Sequence, residues 1–518
     1  MDRRVLLLTT FTAGMTSLGI EFAASRLLGN VFGTTNLVWA NIIGLILVYL
    51  TAGYFLGGRW ADRSPHATTF YRLVLWAAFT SGLIPIVAHP VLRWAAAAVE
   101  DLNAAIMAGS FLAVLILFSL PVTLLGCVSP FVIRLLMDDR SRAGQISGQV
   151  YALSTLGSIL GTFLPVLWLI PEIGTARTFL VFSGILLLVG LIGLWTADRR
   201  LALTHLWMPV VLAGLAWWSL RGPIKASTGQ LYESESAYNY IQVREIHGMR
   251  YLMLNEGQAV HSVYDPAGGA TYGTWDYFLA APFFNAAPHA ADEVQRLGIV
   301  GLAAGTIALQ YTQVFGPLPI DGWDIDPEVM EVGREYFAMT EPNLQAIAQD
   351  GRWGLEHSGQ EYSVIAIDAY RPPYIPWQLT TLEFFEIVRD HLTGDGVAVI
   401  NVGRTADDRR LVEALVGTMS AVFPSVHVVD VPGTFNTMVY ATVQPTEAGN
   451  LLLNLQHLQQ TGAPPLLLDV IGRAVVNLVP TPSAEVAFTD DRAPVETLVN
   501  SIVIRFVLAG QLDTLSAE

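Results

Sequence analysis

The sequence predicts an α-helical membrane bundle of about seven spans, fused to an α/β domain that begins with a small antiparallel β region. Of the 518 residues, 53% are hydrophobic and only 14% are charged. Soluble proteins carry about 25% charged residues, so a large part of the chain is expected to meet lipid. The β-α-β rhythm begins only beyond residue 290. We therefore expect a membrane domain at 1–222, the β region at 228–290 and a doubly wound nucleoside-binding domain at 291–518.

Apolar runs of about 20 residues, each long enough to cross the hydrocarbon core of a bilayer, recur in the first part of the chain. The fourth run is longer than an upright helix needs, and Pro121 and Pro130 predict a kink in it. We expect the spans at 5–30, 36–57, 69–90, 104–136, 148–170, 178–196 and 202–220.

The arginines predict the orientation of the bundle. Most of them fall on the side of the N-terminus, and the opposite loops offer little beyond Arg93 and Arg177. Because cytoplasmic loops are rich in basic residues, we expect a multi-pass protein of the cell membrane with a cytoplasmic N-terminus. Seven spans place the following domain outside the cytoplasm and six place it inside, because 202–220 is either a span or an interfacial helix. The arginines on the N-terminal side are Arg3, Arg4, Arg59, Arg63, Arg72, Arg134, Arg140, Arg142, Arg199 and Arg200.

Two ionisable residues, Glu21 and Arg26, lie within the first span. Charges inside a bilayer are costly unless they are paired, so such residues are either structural ion pairs or functional groups. Their spacing of five residues is poor for pairing along one helix. We therefore expect their partners on other helices.

The remainder of the chain is strongly acidic. Residues 221–518 hold 15 basic against 35 acidic side chains, whereas 1–220 hold 13 against 9. This balance argues against nucleic acid as a ligand, and it fits either a cationic substrate or a surface kept acidic for solubility. The single cysteine, Cys127, lies in an apolar run. It excludes intrachain disulfides and a cysteine metal site, and we expect a small core residue.

Beyond residue 290 the pattern is that of a Rossmann-like sheet. An apolar strand at 297–300 runs into a glycine-rich turn at 301–305, a helix follows, and a second strand at 319–325 contains Asp324. Ligands of such sheets bind beyond the carboxyl ends of the strands. A glycine turn there lets backbone approach a ligand, and Asp324 is placed to accept both ribose hydroxyls. Asp350 follows a third strand, where its carboxylate is expected near an adenine amine.

Several motifs in order resemble those of the spermidine synthases (polyamine aminopropyltransferases). The whole chain is similar to the membrane-fused bacterial members of that superfamily. The motifs are Ser-Ala-Tyr-Asn-Tyr-Ile at 236–241, Leu-Asn-Glu-Gly at 254–257, Gly-Leu-Ala-Ala-Gly at 301–305, Asp-Ile-Asp-Pro at 324–327, Asp-Gly-Arg at 350–352, Leu-Thr-Thr-Leu-Glu-Phe-Phe at 379–385 and Thr-Asp-Asp-Arg-Ala-Pro-Val-Glu at 489–496.

The resemblance implies aminopropyl transfer from decarboxylated S-adenosylmethionine to a polyamine or other amine. It implies no metal, no permanently bound cofactor and a homodimer. Asp368 and Tyr370 are the expected catalytic residues. The residues expected to bind the nucleoside are Gly301, Ala303, Gly305, Asp324, Asp350 and Gly351. Those expected to contact the amine substrate are Tyr238, Asn239, Asp276, Asp490 and Asp491.

Three positions depart from the family pattern. The family's Asp-x-x-Asp-Pro reads Asp-Ala-Tyr-Arg-Pro at 368–372, so Arg371 replaces the second acid. Arginine stays charged and accepts no proton, which leaves Asp368 as the candidate for contacting the amine. Ala304 replaces the acid of the glycine loop, and Trp-Asp-Tyr at 275–277 replaces Tyr-His-Glu. The alternative to a catalytic role for Asp368 is a structural one, as the cap of a strand end. The alternative to substrate binding for Asp490 and Asp491 is a role as the N-cap of a helix.

Two other functions stay open at this point. The same fold and pocket serve methyltransferases that use S-adenosylmethionine itself. Arg371 could then bind the carboxylate of that donor. The third alternative is a membrane transporter or sensor that binds a nucleoside without turnover, which Glu21, Arg26 and the missing base favour.

Overall fold

The computed structural model describes residues 2–32, 36–97, 104–137, 142–219, 227–255, 260–371, 374–483 and 486–508. The chain divides into two compact units, one formed by 1–226 with 233–240 and the other by 227–232 with 241–518.

The first unit is helical. Seven of its described stretches are long and apolar enough to cross a membrane, and the last of these is Arg199–Trp218. The prediction of about seven apolar spans is thereby confirmed by length and composition. A π-helical turn, Pro165–Leu169, joins α6 to α7. The helices are α1 (Arg3–Phe32), α2 (Asn36–Arg63), α3 (Ala67–Ala97), α4 (Ala104–Gly126), α5 (Val128–Leu136), α6 (Ala143–Leu164), α7 (Ile170–Ile173), α8 (Thr175–Ala197), α9 (Arg199–Leu203) and α10 (Trp207–Ser219).

Small residues let the first and sixth helices approach each other closely. A Cβ atom built on Gly157 lies only 2.0 Å from the carbonyl oxygen of Phe11, and one built on Gly161 lies 2.1 Å from that of Met15. Glycine therefore allows backbone contact between α1 and α6, as is common between helices in membranes. The fourth span breaks at Cys127, which is buried between α4 and α5.

Arg26 has hydrogen-bond acceptors outside the helices, in addition to the partners that were expected on other helices. Its guanidinium donates to the carbonyl oxygens of Ser236 and Tyr238, at 2.6 and 2.9 Å. These two residues belong to the 233–240 segment, which is part of the same compact unit. Backbone carbonyls accept hydrogen bonds from a guanidinium without adding a second buried charge.

The predicted β region is an antiparallel sheet with the order β1-β2-β3-β4. A register shift at Leu252/Met253 interrupts the pairing of β3 with β4. The expected Leu-Asn-Glu-Gly turn falls partly at 256–259, outside the described residues. The strands are β1 (Gln230–Glu235), β2 (Tyr240–Ile246), β3 (Met249–Leu254) and β4 (Val260–Tyr264).

An eight-stranded sheet with the order β12-β10-β11-β9-β8-β5-β6-β7 forms the rest of the second unit. Strands β5 to β9 pair in parallel, whereas β10, β11 and β12 add antiparallel pairs at one side. The predicted fold class is confirmed. The strands are β5 (Leu297–Val300), β6 (Ile320–Asp324), β7 (Leu344–Ala348), β8 (Tyr362–Ile367), β9 (Leu392–Gly403), β10 (Ser425–Asp430), β11 (Asn436–Thr442) and β12 (Leu478–Val479).

Alternating residues of the central strands enter separate hydrophobic clusters on the two faces of this sheet. In β8, Val364 and Ala366 join one cluster, and Ile365 and Ile367 join the other. Helices cover both faces, so the sheet is doubly wound. These helices are α11 (Thr274–Tyr277), α12 (Thr306–Phe315), α13 (Pro327–Tyr336), α14 (Gly351–Glu356), α15 (Leu382–Asp390), α16 (Arg410–Ser420), α17 (Asn450–Thr461), α18 (Pro465–Val476) and α19 (Val495–Leu508).

The chain reverses its direction of strand addition between β5 and β8. Strands β6 and β7 follow β5 on one side, whereas β8 and β9 lie on the other. Ligands of open α/β sheets bind at the carboxyl ends of the strands at such a switch point. The fold therefore predicts a ligand site near residues 301, 324, 350 and 368, which follow or end these strands.

Candidate functional site

The glycine-rich turn lies where β5 meets β8. Gly301 has a φ of +93°. A Cβ atom at this position lies 2.6 Å from both the amide nitrogen and the Cα of Ala369, in the loop that follows β8. Glycine is required here for two reasons, the left-handed backbone and the close approach of the neighbouring loop. The turn thereby brings Gly301 beside Asp368.

Asp324 ends β6 and holds the glycine turn in place. One carboxylate oxygen accepts a hydrogen bond from the amide of Ala303 at 2.9 Å, and the other accepts from the amide of Asp326 at 3.0 Å. A carboxylate has about four lone-pair sites, so acceptor capacity remains for a ribose hydroxyl. Burial raises the pKa of Asp324 to about 6, while the backbone amides oppose that rise. Ala303 itself has a φ of +47°, so this turn stores backbone strain.

Asp350 follows β7 and caps the short helix α14. Its carboxylate accepts a hydrogen bond from the amide of Trp353 at 3.0 Å. The next residue, Gly351, has no room for a side chain, because a Cβ atom there lies 2.7 Å from a methyl group of Val300 in β5. The residues at 301, 324 and 350 thus follow or end three adjacent parallel strands, β5, β6 and β7.

Asp368 follows β8 and is half-buried. Burial raises its pKa to about 7, although hydrogen bonds from Asn401 and from the indole of Trp275 counteract the rise. The amide of Asn401 donates to Asp368 Oδ1 at 2.9 Å, and its own oxygen accepts from Asn436 at 2.8 Å. A carboxylate with this pKa takes up or releases a proton near neutral pH.

Asn401 and Asn436 were not predicted as site residues from the sequence, and Trp275 was noted only as a departure from the family pattern. A signal for Asn401 was present, because it is a lone amide within the buried run of β9, next to Ile400 and Val402. Buried polar side chains are normally hydrogen-bonded, so such a residue predicts a nearby partner.

Tyr370 and Arg371 lie in the same loop as Asp368. The hydroxyl of Tyr370 donates to the carbonyl oxygen of Asn401 at 3.1 Å. Burial holds the pKa of Tyr370 well above its ordinary value, so the side chain remains a neutral phenol. Arg371 is exposed, and its backbone forms a bridge with Tyr374. Pro372, the last residue of the motif, lies outside the described residues.

Asp276 is fully buried and does not lie on a surface open to a substrate, contrary to expectation. Its carboxylate accepts hydrogen bonds from the backbone of Thr271 and Tyr272, from Gln310 at 2.6 Å and from Arg473 at 2.7 Å. These donors occupy both oxygens. Asp276 therefore fixes the loop beside Trp275, and its contact with an amine stays a prediction.

Asp490 is engaged in an ion pair. Its two oxygens accept from the guanidinium of Arg352 at 2.8 and 2.7 Å, and Thr381 donates to the same carboxylate at 2.7 Å. The pair with Arg352 lowers the pKa of Asp490. Asp490 is thus neither an unoccupied contact for a substrate nor the N-cap of α19, which begins at Val495. Asp491 is exposed.

The two remaining substrate candidates, Tyr238 and Asn239, form the turn between β1 and β2. The hydroxyl oxygen of Ser236 accepts hydrogen bonds from both of their amides, at 3.0 and 2.9 Å. The side chain of Tyr238 is exposed. Ala304, where the family has an acid, is buried in a hydrophobic cluster that also contains Ile241 and Val332, so its surroundings are apolar.

One group of side chains among the described residues has the geometry to hold a metal ion: His289, Glu293 and Asp395. Asp395 lies near the amino end of β9, whereas the strand-end residues described above lie at the carboxyl ends. This group is therefore separate from the nucleoside candidates.

Comparisons with known proteins point to one family. Residues 317–452 match the spermine/spermidine synthase domain. The chain is 32% identical over 302 residues to a probable polyamine aminopropyl transferase of Bifidobacterium longum, and the match covers 55% of this chain and 64% of that relative. The chain thus spans slightly less than two thirds of that relative's length.

Two further similarities cover smaller parts of the chain. The chain is 25% identical over 179 residues to the human eEF1A lysine and N-terminal methyltransferase, a match that covers 32% of this chain and 25% of the relative. A crystal structure of a probable spermidine synthase from Corynebacterium glutamicum is 19% identical, covers 48% of this chain and 95% of that one, and has a TM-score of 0.39. The predicted resemblance to spermidine synthases is confirmed, since residues 317–452 match the spermine/spermidine synthase domain and follow seven helices, among the described residues, that are apolar enough to cross a membrane.

Proposed function

We propose that the protein transfers an aminopropyl group from decarboxylated S-adenosylmethionine to a polyamine or another amine. The observation that carries the proposal is the half-buried carboxylate of Asp368, which follows β8 beside Gly301 and has a pKa raised to about 7. A group that exchanges protons at neutral pH is what the attack of an ammonium substrate requires.

In this proposal, three adjacent strand ends bind the adenosine of the donor. Asp324 takes the ribose hydroxyls, Asp350 contacts the adenine amine, and the backbone of Gly301, Ala303 and Gly305 approaches the nucleoside. The fit is supported by the lone pairs that remain on Asp324 and by the open glycine backbone. Gly351 contributes by letting Asp350 lie close to β5.

The chemical step is a displacement at carbon. The acceptor ammonium first gives a proton to Asp368, and the freed nitrogen lone pair attacks the methylene carbon bonded to the sulfonium. The new C–N bond forms as the C–S bond breaks, and the electron pair of that bond goes to sulfur, which leaves as a neutral thioether. Because the sulfonium is already activated, the protein has to orient the amine, accept its proton and exclude water.

Tyr370 and Asn401 shape the proton acceptor. The hydroxyl of Tyr370 stays protonated and donates to the carbonyl oxygen of Asn401, near the end of β9. Asn401 donates to Oδ1 of Asp368, and the carboxylate, with four lone-pair sites, keeps acceptor capacity for the amine beside the bonds from Asn401 and Trp275. The strongly acidic composition of 221–518 favours a cationic acceptor and suits a place in polyamine biosynthesis.

Methyl transfer from S-adenosylmethionine is the second candidate. Arg371 favours it, because this exposed cation follows Asp368 by three residues and suits the carboxylate that only the undecarboxylated donor carries. The similarity to a human methyltransferase supports the same reading.

Two measurements on the full chain in detergent distinguish aminopropyl transfer from methyl transfer. They are calorimetry with each donor and mass analysis of the amine products. Tighter binding of the decarboxylated donor and an amine product heavier by one aminopropyl group support the proposal. Preference for S-adenosylmethionine without such a product eliminates it in favour of methyl transfer. Binding of neither donor eliminates both enzymes and leaves a transport or sensing function, which uptake assays on Glu21→Gln address.

We also propose that the bundle resides in the cell membrane with a cytoplasmic N-terminus and that the chain forms a homodimer. The orientation rests on the arginines of the N-terminal side, such as Arg63 and Arg134. Reporter fusions at both termini test the orientation, and light scattering in detergent tests the dimer.

A further inference from the structure

A buried histidine meets two carboxylates near the amino end of β9, at the edge of the large sheet opposite the carboxyl strand ends. Nδ1 of His289 lies 3.3 Å from Oε2 of Glu293. One ligand atom from each of His289, Glu293 and Asp395 lies within 4.8 Å of the other two. The side chain of His289 is only 7% exposed, that of Glu293 is 49% exposed, and Asp395 is exposed. The group is therefore open to solvent on the side of its carboxylates.

The imidazole of His289 has no polar partner outside this group. Among the described residues, the only polar contact found for its ring is the one with Glu293. The ring otherwise packs edge-on against Phe283, with 6.0 Å between the ring centroids. Buried polar groups normally have a hydrogen-bond partner. A buried ring nitrogen that faces two carboxylates thus has the surroundings of a metal ligand.

The two carboxylates also lack a cationic partner from an arginine. Glu293 Oε1 accepts from the amide of Ala290 at 2.9 Å, which leaves Oε2 facing His289. Asp395 Oδ1 accepts from the hydroxyl of Thr393 at 2.8 Å. In the described part of the chain, the one ion pair found for either carboxylate is that between Glu293 and His289. Because like charges that converge repel each other, a bound cation stabilises this arrangement.

Buried amide side chains fix the backbone on both sides of the group. Asn454 of α17 accepts from the amide of His289 at 2.9 Å. It donates to the carbonyl oxygens of Phe283 and Asn285, each at 2.9 Å. Asn285 in turn donates to the carbonyl oxygen of Asp395 at 2.7 Å. The loop of His289 and the start of β9 are thus held together by the protein itself, which lowers the cost of assembling an ion site.

The donor set suits zinc. Zn²⁺ binds imidazole nitrogen and carboxylate oxygen at about 2.0–2.2 Å, so tetrahedral ligands lie about 3.4 Å from one another. The 3.3 Å between His289 and Glu293 already has this value. Asp395 has to approach by no more than about 1.4 Å, the difference between 4.8 and 3.4 Å, which rotation of an exposed side chain allows.

We propose that His289, Glu293 and Asp395 bind a zinc ion that joins the loop before β5 to the start of β9. Three protein ligands leave the fourth tetrahedral position to water, since the carboxylates face solvent. Six residues of β9, about 20 Å, separate Asp395 from Asn401, so the ion takes no part in the proposed transfer. The site is additional to the proposed function and does not depend on it.

The test is calorimetry with Zn²⁺ on the full chain in detergent, without an affinity tag, together with thermal unfolding. His289→Gln, Glu293→Gln and Asp395→Asn each remove one ligand. The last of these alters an exposed side chain, so it tests the site even where His289→Gln fails to fold. Two exposed residues outside the group supply the matched controls, Asp292→Asn for the acids and His357→Gln for the histidine.

We expect one zinc ion per chain and a higher Tm with zinc, because a ligand that binds only the folded state stabilises it. Each of the three variants should lower the zinc affinity by at least about 10–100-fold, the usual cost of losing even a residue that merely orients a metal ligand. The two controls should bind zinc as wild type does. Mg²⁺ and Ca²⁺ should bind more weakly than zinc, since both prefer sites made only of oxygen atoms.

Absence of zinc binding to the wild-type chain overturns the proposal. Wild-type affinity in Glu293→Gln and Asp395→Asn, or an equal loss of affinity in a control, means that the ion binds elsewhere and overturns it as well. Preference for Mg²⁺ or Ca²⁺ refutes the assignment to zinc.

Discussion

The amide of Asn401 donates to the carboxylate of Asp368 across two neighbouring parallel strands, at 2.9 Å. Asn436, on the strand beyond, donates in turn to the oxygen of Asn401 and so fixes which end of that amide faces Asp368. This connection makes the proton affinity of Asp368 depend on two neutral side chains. Substitutions of Asn401 or Asn436 therefore test the proposed base without removing its carboxylate.

Replacing Asp368 by Asn is expected to lower kcat by about 10²–10⁴, the usual contribution of a general base. The affinity for the donor nucleoside should stay unchanged, because Asp324 and Asp350 are untouched. Asp390→Asn is the matched control, since Asp390 is an exposed carboxylate on α15. Retention of full activity in Asp368→Asn contradicts the assigned role.

Replacing Asn401 by Leu should raise the pKa of Asp368 further above its present value of about 7, because a hydrogen bond that favours the charged form is lost. The acidic limb of the profile of kcat/KM against pH should therefore move to higher pH. Asn436→Ala should move it in the same direction by less, since Asn401 remains. A pH profile identical to wild type in both variants argues against the connection.

Gly301→Ala should abolish donor binding, because its Cβ atom collides with the backbone of Ala369. Gly316→Ala separates this effect from backbone strain. Gly316 has a φ of +80° but no atom within 4 Å of a Cβ, so the change should cost only about 1–2 kcal/mol of stability. Thermal unfolding and calorimetry with the donor measure both effects. Equal losses in the two variants contradict the role of the close approach.

Asp368→Asn should also change how stability depends on pH. The folded pKa of about 7 lies above the ordinary 3.8, so the folded state binds the proton more tightly than the unfolded state. The stability that this group contributes is complete below pH 3.8 and is lost as the pH rises through 7. The Tm of Asp368→Asn minus the Tm of wild type should therefore be larger at pH 8 than at pH 4. A pH-independent difference contradicts the raised pKa.

Arg371→Gln distinguishes the two donors. In aminopropyl transfer the change removes a cation near a cationic acceptor, so the KM for the amine should fall. In methyl transfer it removes the partner of the donor carboxylate, so the Kd for S-adenosylmethionine should rise by about tenfold or more. Arg389→Gln, an exposed arginine of α15, is the control.

The strand-end residues could be predicted from the sequence because their chemistry is local. Gly301, Asp324 and Asp350 each follow or end an apolar run, and the β-α-β pattern brings such positions to one edge of a sheet. The environments of Asp276 and Asp490 could not be predicted. Their ionic partners are 197 and 138 residues away, so no spacing in the sequence reveals that these carboxylates are already occupied.

The candidate spans found among the described residues number seven, and this odd number has a consequence for the supply of substrates. Each crossing changes sides, so when all seven cross, Arg3 and Trp218 emerge on opposite faces of the bilayer. With Arg3 in the cytoplasm, the proposed aminopropyl transfer would take place outside the compartment in which S-adenosyl compounds are synthesised. The proposal then requires export of the donor across the membrane and an amine acceptor at the cell exterior.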